Sequence, residues 1–147
     1  AIVEEDVAAF ERDARAASRS TDLYGDPEML ADSYERFEEH ADLIRAQRML
    51  RASGVEDRAA TERTQAVRER VEVEGCHPAA VEQLTALLRL ISGSDGWARM
   101  REPDLALDPR EAGYAAHWAA QVLMRAARGV DGPLRPERED DDGHTDA

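Results

Sequence analysis

Hydrophobic positions along this chain recur at steps of three and four, and no stretch alternates with the two-residue period of a strand. Val3, Val7, Phe10, Ala14 and Ala17 share one helical stripe, with Glu4, Glu5 and Asp6 at its start, where the helix dipole favours negative charge. No capping residue precedes them, so this helix either continues from sequence upstream or is a frayed N-terminus. A polar break over residues 18–25 follows. Asp26-Pro27-Glu28 then opens a helix with an Asp cap, a Pro at the first helical position and an acid in the first turn. The pattern predicts one long helix over residues 27–52, with Leu30, Tyr34, Phe37, Ala41 and Ile44 as its apolar line and Gly54 as its stop. Residues 55–74 predict a solvated outer helix with a thin seam of Val55, Ala59, Ala66, Val67 and Val71, closed by Gly75. Two further helices follow over residues 79–92 and 109–128. The connector 93–108 between them holds a short helix around Trp97 and Met100. Asp108-Pro109-Arg110-Glu111 opens the last helix with a capping box, and Gly129 ends it.

The last two helices are apolar over far more than one face. Arg110, Tyr114, His117, Gln121, Arg125 and Arg128 form a narrow polar stripe on one, and Glu82, Thr85, Arg89 and Ser92 on the other. Val81, Leu84, Leu87, Leu88, Leu90 and Ile91 spread over the remaining sides of the first of the pair. Such helices need cover on two sides. A second copy of the chain supplies it in one arrangement, and a central helix pair buried within one monomer supplies it in the other.

A length of 147 residues fits one domain, read as residues 1–129, with residues 130–147 as an acidic, disordered tail. A single cysteine, Cys76, allows no internal disulfide and fits a reducing compartment. No apolar run reaches the length of a membrane span and no signal-peptide pattern is present, so the expectation is a soluble, cytoplasmic protein without a membrane partner. The net charge is −13, and all 19 basic residues are arginine. That balance disfavours direct nucleic-acid binding, which rests on basic side chains neutralising phosphates.

Catalytic and metal chemistry find no footing. A di-iron bundle carries Glu-x-x-His, whereas Phe37 stands three residues before His40 and Tyr114 three before His117. Cys76 and His77 have no second ligand pair at zinc spacing. There is no nucleophile elbow and no phosphate-cradling glycine loop. The chain is expected not to be an enzyme and to carry no metal or cofactor. Tyr34, Phe37, His40, Trp97, Met100 and Trp118 are plain core, or become ligand contacts where the bundle leaves a pocket among them.

In order, these helices resemble the C-terminal regulatory domain of TetR-family transcriptional regulators. The resemblance is carried by residues 34–46 (YERFEEHADLIRA), similar to the family's long pocket helix, and by residues 84–97 (LTALLRLISGSDGW) with residues 107–113 (LDPREAG) and the Trp118 helix, similar to its final helix pair. It implies an all-α fold, a helical bundle of five to six helices that dimerises through its last two long helices. It implies a homodimer interface of Leu84, Leu87, Leu88, Ile91, Ala115, Trp118, Ala119 and Val122. A small, largely apolar effector would be bound by Phe10, Tyr34, Phe37, His40, Ile44, Trp97 and Met100. DNA would be reached only through an N-terminal helix-turn-helix headpiece that these residues do not contain. The alternative expectation is a stand-alone helical adaptor that binds no ligand.

Overall fold

The protein is described here by a computed structural model, which covers residues 24–134 together with Ala8, Ala9 and Arg12. Apart from those three residues, the expected first helix, Phe10 included, and residues 135–147 of the expected tail lie outside the described residues. Among the described residues the architecture is all-α: α1 (Pro27–Glu39), α2 (Ala41–Ala52), α3 (Arg58–Val73), α4 (Pro78–Ser92), α5 (Ser94–Met100) and α6 (Pro109–Ala127). None of these helices is long and apolar enough to cross a membrane.

The helix starts follow the capping chemistry of the sequence. The Asp26 carboxylate accepts from the Glu28 amide at 2.9 Å ahead of Pro27, and Asp108 accepts from the Arg110 amide at 3.0 Å ahead of Pro109. The expected start of α3 at Val55 is displaced by three residues. Asp57 is the better cap, accepting from the Ala60 amide at 3.0 Å, and it leaves Val55 exposed in the loop. At the start of α4 the cap is His77, whose Nδ1 accepts from the Ala79 amide at 3.1 Å.

The expected single helix over residues 27–52 is two helices. The chain breaks at His40, whose φ and ψ of −114° and 28° leave the helical region. A side-chain bond back to the preceding turn accompanies the break. The Arg36 carbonyl takes both the His40 amide, at 3.1 Å, and the His40 ring nitrogen Nδ1, at 2.9 Å. The break redirects α2 so that Ile44 alone among its residues is fully buried.

The core forms where α1 lies along α6, with α4 also packed against α6 and α3 packed against α4. Leu30, Ala31 and Tyr34 of α1 meet Ala112, Ala116, Ala120 and Met124 of α6. Val81, Leu84 and Leu88 of α4 complete that layer, and Val67 and Val71 of α3 close it. Gly113 makes the α1–α6 contact possible: a Cβ there would stand 2.5 Å from the Ala31 Cα and 2.8 Å from the Leu30 carbonyl oxygen. Beside it the Arg110 guanidinium fans out to Glu28, Asp32 and Glu35 of α1, and its Nε donates to the Tyr114 hydroxyl at 3.0 Å. Hydrogen bonds to the helices continue past Gly129. The Val130 carbonyl accepts from the His77 amide, and Leu134 exchanges two hydrogen bonds with the Gln83 side chain.

The far end of the bundle is tied by Glu74. Its side chain is only 8% exposed and accepts from Arg128 Nε at 2.6 Å and Arg70 at 2.9 Å. The bond from Arg128 holds the Glu74 carboxyl below its ordinary range. A depressed carboxylate contributes stability above the ordinary glutamate range and loses it as pH falls through the lowered folded value. Glu74→Gln is therefore expected to lower the melting temperature at pH 7, and the gap to wild type should close on acidification below about pH 4. Thermal melts at pH 7 and pH 3 check this, and an equal gap at both values contradicts it.

Candidate functional site

Two features stand out, an aromatic cluster and an uncovered apolar face, and α4 touches both. The cluster follows from helical spacing. Tyr34 and Phe37 lie three apart on α1, and Trp97 and Met100 three apart on α5. The Tyr34 and Phe37 rings stand 5.9 Å apart, and the Phe37 and Trp97 rings 6.1 Å apart, both tilted. Ile44 of α2 and Trp97 are buried in the core, and Phe37 and Met100 pack against it.

Tyr34 is completely buried, and its hydroxyl donates a short hydrogen bond to the Ile91 carbonyl in the last turn of α4. Burial pushes the Tyr34 phenol well above its ordinary value, so it remains a donor. Gly96 makes room for that bond, since a Cβ there would stand 2.8 Å from the Tyr34 hydroxyl. On the outer side the Glu38 carboxylate accepts from Trp97 Nε1 at 3.0 Å and from Arg101 Nε and Nη2 at 3.0 and 3.1 Å. The Arg101 bond, aided by Trp97, holds the Glu38 carboxyl below its ordinary range. Arg101 also donates to the Leu107 carbonyl at 2.6 Å, so one arginine fastens the connector to α1. That connector contains the one left-handed non-glycine residue among the described residues, Ala106 at φ 45°.

Of the residues expected to bind an effector, Tyr34, Phe37 and Trp97 converge on this cluster, Ile44 is buried in the same core and Met100 packs against that core. Phe10 lies outside the described residues. His40 sits at the break between α1 and α2. There it lines an open depression of about 480 Å³ whose other walls are Glu38, Glu39, Ala41, Asp42, Leu43 and Ala46. The Glu38–Trp97–Arg101 link was not legible in the sequence, because its partners lie about sixty residues apart with no motif between them.

The second feature divides the expected interface residues. Leu84 and Leu88 are buried within this chain's own core, and Ile91 is half-buried against it. Leu87 and Leu90 point outward, 40% and 54% exposed. On α6, Ala112, Ala116 and Ala120 face inward. Ala115 and Ala119 are half-buried, Val122 is 45% exposed and Trp118 is 70% exposed. Leu90 was overlooked as a member of this face, although its place three residues after Leu87 marks it.

Among the described residues no group of His, Cys, Asp and Glu is placed to hold a metal. Cys76 is buried with its thiol 3.9 Å from the Val71 carbonyl, and His77 is engaged as the α4 cap. Comparison of the chain with protein-family models, curated proteins and solved structures finds no match.

Proposed function

We propose that this chain is the effector-binding and dimerisation domain of a TetR-like transcriptional regulator. Two copies pair the outer stripes of α4 and α6 into a four-helix interface. A small, largely apolar effector is taken up beside Tyr34, Phe37 and Trp97, and DNA is engaged by a helix-turn-helix headpiece outside these residues.

The observation that carries this reading is the uncovered stripe of Leu87, Leu90, Trp118 and Val122 on two helices that also pack against each other. An indole 70% exposed beside further apolar side chains is the kind of surface that marks an association site. The aromatic cluster is coupled to it through the backbone. Tyr34 grips the Ile91 carbonyl, and Ile91 adjoins Leu90 on the outer stripe. A ligand that displaces Trp97 or Tyr34 acts on the end of α4, and it biases the dimer only by its differential affinity for two dimer geometries.

The tight packing of Tyr34 against Phe37 favours a second reading, a dimeric adaptor without an effector. One preparation tests both. Sedimentation equilibrium at micromolar concentration should return twice the 16.3 kDa chain mass, and a monomer overturns the proposal. In a Trp118→Phe chain, Trp97 is the one remaining tryptophan. Saturable energy transfer from it to the neutral probe N-phenyl-1-naphthylamine supports the effector site, and its absence favours the adaptor.

A further inference from the structure

A separate grouping of charge lies where α2, α3 and α4 approach one another. Arg48 and Arg51 come from the end of α2, Arg63 and Thr64 from α3, and Arg89 from α4, around the carboxylates of Asp57 and Asp95. In a chain of net charge −13, Arg48, Arg51 and Arg89 outnumber the two carboxylates beside them among the described residues.

The hydrogen bonding of Arg51 and Arg89 is incomplete. Arg89 is half-buried; its Nε donates to the Thr64 hydroxyl at 3.2 Å, while its terminal nitrogens form no hydrogen bond among the described residues. Arg51 Nε is buried without a hydrogen-bond partner and stands 3.7 Å from Asp57 Oδ2. Arg63 is 3.8 Å from the same oxygen. Charge-assisted bonds close to about 2.7–2.9 Å. Asp57 does not close on either arginine because its other oxygen, Oδ1, caps α3 through the Ala60 amide. Asp95 is engaged by Arg48, at 3.1 Å. Burial pushes the Arg89 guanidinium down, and the Arg51 charge beside it acts in the same direction. The negative end of the α2 dipole accounts for arginines at this place. It does not account for burying the Arg51 Nε without a hydrogen-bonded acceptor, which leaves its desolvation uncompensated.

We propose that Arg51 and Arg89 form the floor of a binding site for one oxyanion, the phosphate or carboxylate group of a small molecule. A planar guanidinium presents paired donors that match two oxygens of such a group. Two of them from neighbouring helices hold it from two directions, and the anion removes the repulsion between them. The side chains of Arg51 and Asp57 are 31% and 27% exposed, so the place is sheltered yet reachable from solvent. None of these residues belongs to the aromatic cluster or to the outer stripe of α4 and α6. Failure of this site leaves the dimer and effector reading standing, and the reverse holds too.

The test is a titration of the full 147-residue chain, read on its arginine Nε–Hε signals by NMR. Inorganic phosphate and acetate are added in separate arms at ionic strength held constant with sodium chloride. Saturable shifts concentrated on Arg51 and Arg89 with either anion are expected, and the tighter arm identifies the group as phosphate or carboxylate. Arg51→Gln should weaken that binding by about tenfold or more, the loss of a charge-assisted hydrogen bond. Arg51→Lys, which keeps the charge and removes the buried Nε, supplies the same comparison should the glutamine variant melt early. Non-saturating shifts spread evenly over all arginines overturn the proposal, as does unchanged affinity in both variants.

Discussion

Gly113→Ala is expected to lower the unfolding free energy by about 2–3 kcal/mol and the melting temperature by about 8–10 °C. The sign is the informative part. Glycine inside an exposed helix is worse than alanine by about 1 kcal/mol, so propensity alone makes this substitution stabilising. Packing opposes it here. The added Cβ would sit 2.5 Å from the Ala31 Cα, 2.8 Å from the Ala31 amide nitrogen and 2.8 Å from the Leu30 carbonyl oxygen. All three are backbone atoms of α1, so no rotamer change relieves the clash and the whole helix must back away. That displacement also stretches the bonds from Arg110 to Asp32 and Glu35, one turn from the contact. Gly129→Ala is the control, because the nearest atom to its Cβ would be the Ala126 carbonyl oxygen at 3.9 Å. Differential scanning calorimetry of the two variants decides it. A Gly113→Ala chain that melts at or above the wild-type temperature shows that α1 and α6 do not meet as described.

Much of this architecture was legible because it is written in local chemistry. Asp26-Pro27 and Asp108-Pro109 each cap a helix within two residues of the side chain that does it, whereas the Asp57 cap was missed. Gly54 and Gly75 close helices in the left-handed region, at φ 86° and 75°. What was not legible depends on partners far along the chain or on a choice between equal patterns. The break at His40 has no Gly or Pro to announce it, and it is marked only by a ring nitrogen bonded back to the Arg36 carbonyl. Leu84, Leu87 and Leu88 are chemically alike, and only the rotation of α4 against α6 decides that Leu84 and Leu88 go in and Leu87 goes out. The apolar circumference of the last two helices allowed both a buried central pair and a face for a second copy. In the structure each helix has an inner stripe covered by its own chain and an outer stripe that is not. Gly113 read as one weak position within a helix, and the spacer role of its missing side chain appears only once α1 lies against it. The arginines at positions 48, 51, 63 and 89 are too widely spaced to form any motif, and folding alone gathers them.

Trp118→Glu is expected to raise the dissociation constant of the proposed dimer by about a hundredfold or more while leaving the folded chain intact. A central tryptophan in an interface contributes about 2–4 kcal/mol by truncation, and a carboxylate placed in the same apolar seam adds an unpaired buried charge. The chain itself should tolerate the change, since the indole is 70% exposed and a glutamate there meets water in the monomer. Leu88→Glu makes the opposite case: Leu88 is fully buried in the core, so that variant should lose helicity by circular dichroism rather than merely dissociate. Salt gives a second, independent reading of the same interface. Two chains that each carry −13 repel one another, and apolar association gains when that repulsion is screened. The wild-type dimer should therefore tighten as sodium chloride is raised from low to moderate concentration, whereas a dimer held by cross-chain ion pairs would loosen. Sedimentation velocity of wild type and Trp118→Glu over a salt series measures both effects. A wild-type monomer at every concentration, or a Trp118→Glu chain that dimerises like wild type, removes the outer stripe of α4 and α6 as the association surface and the regulator reading with it.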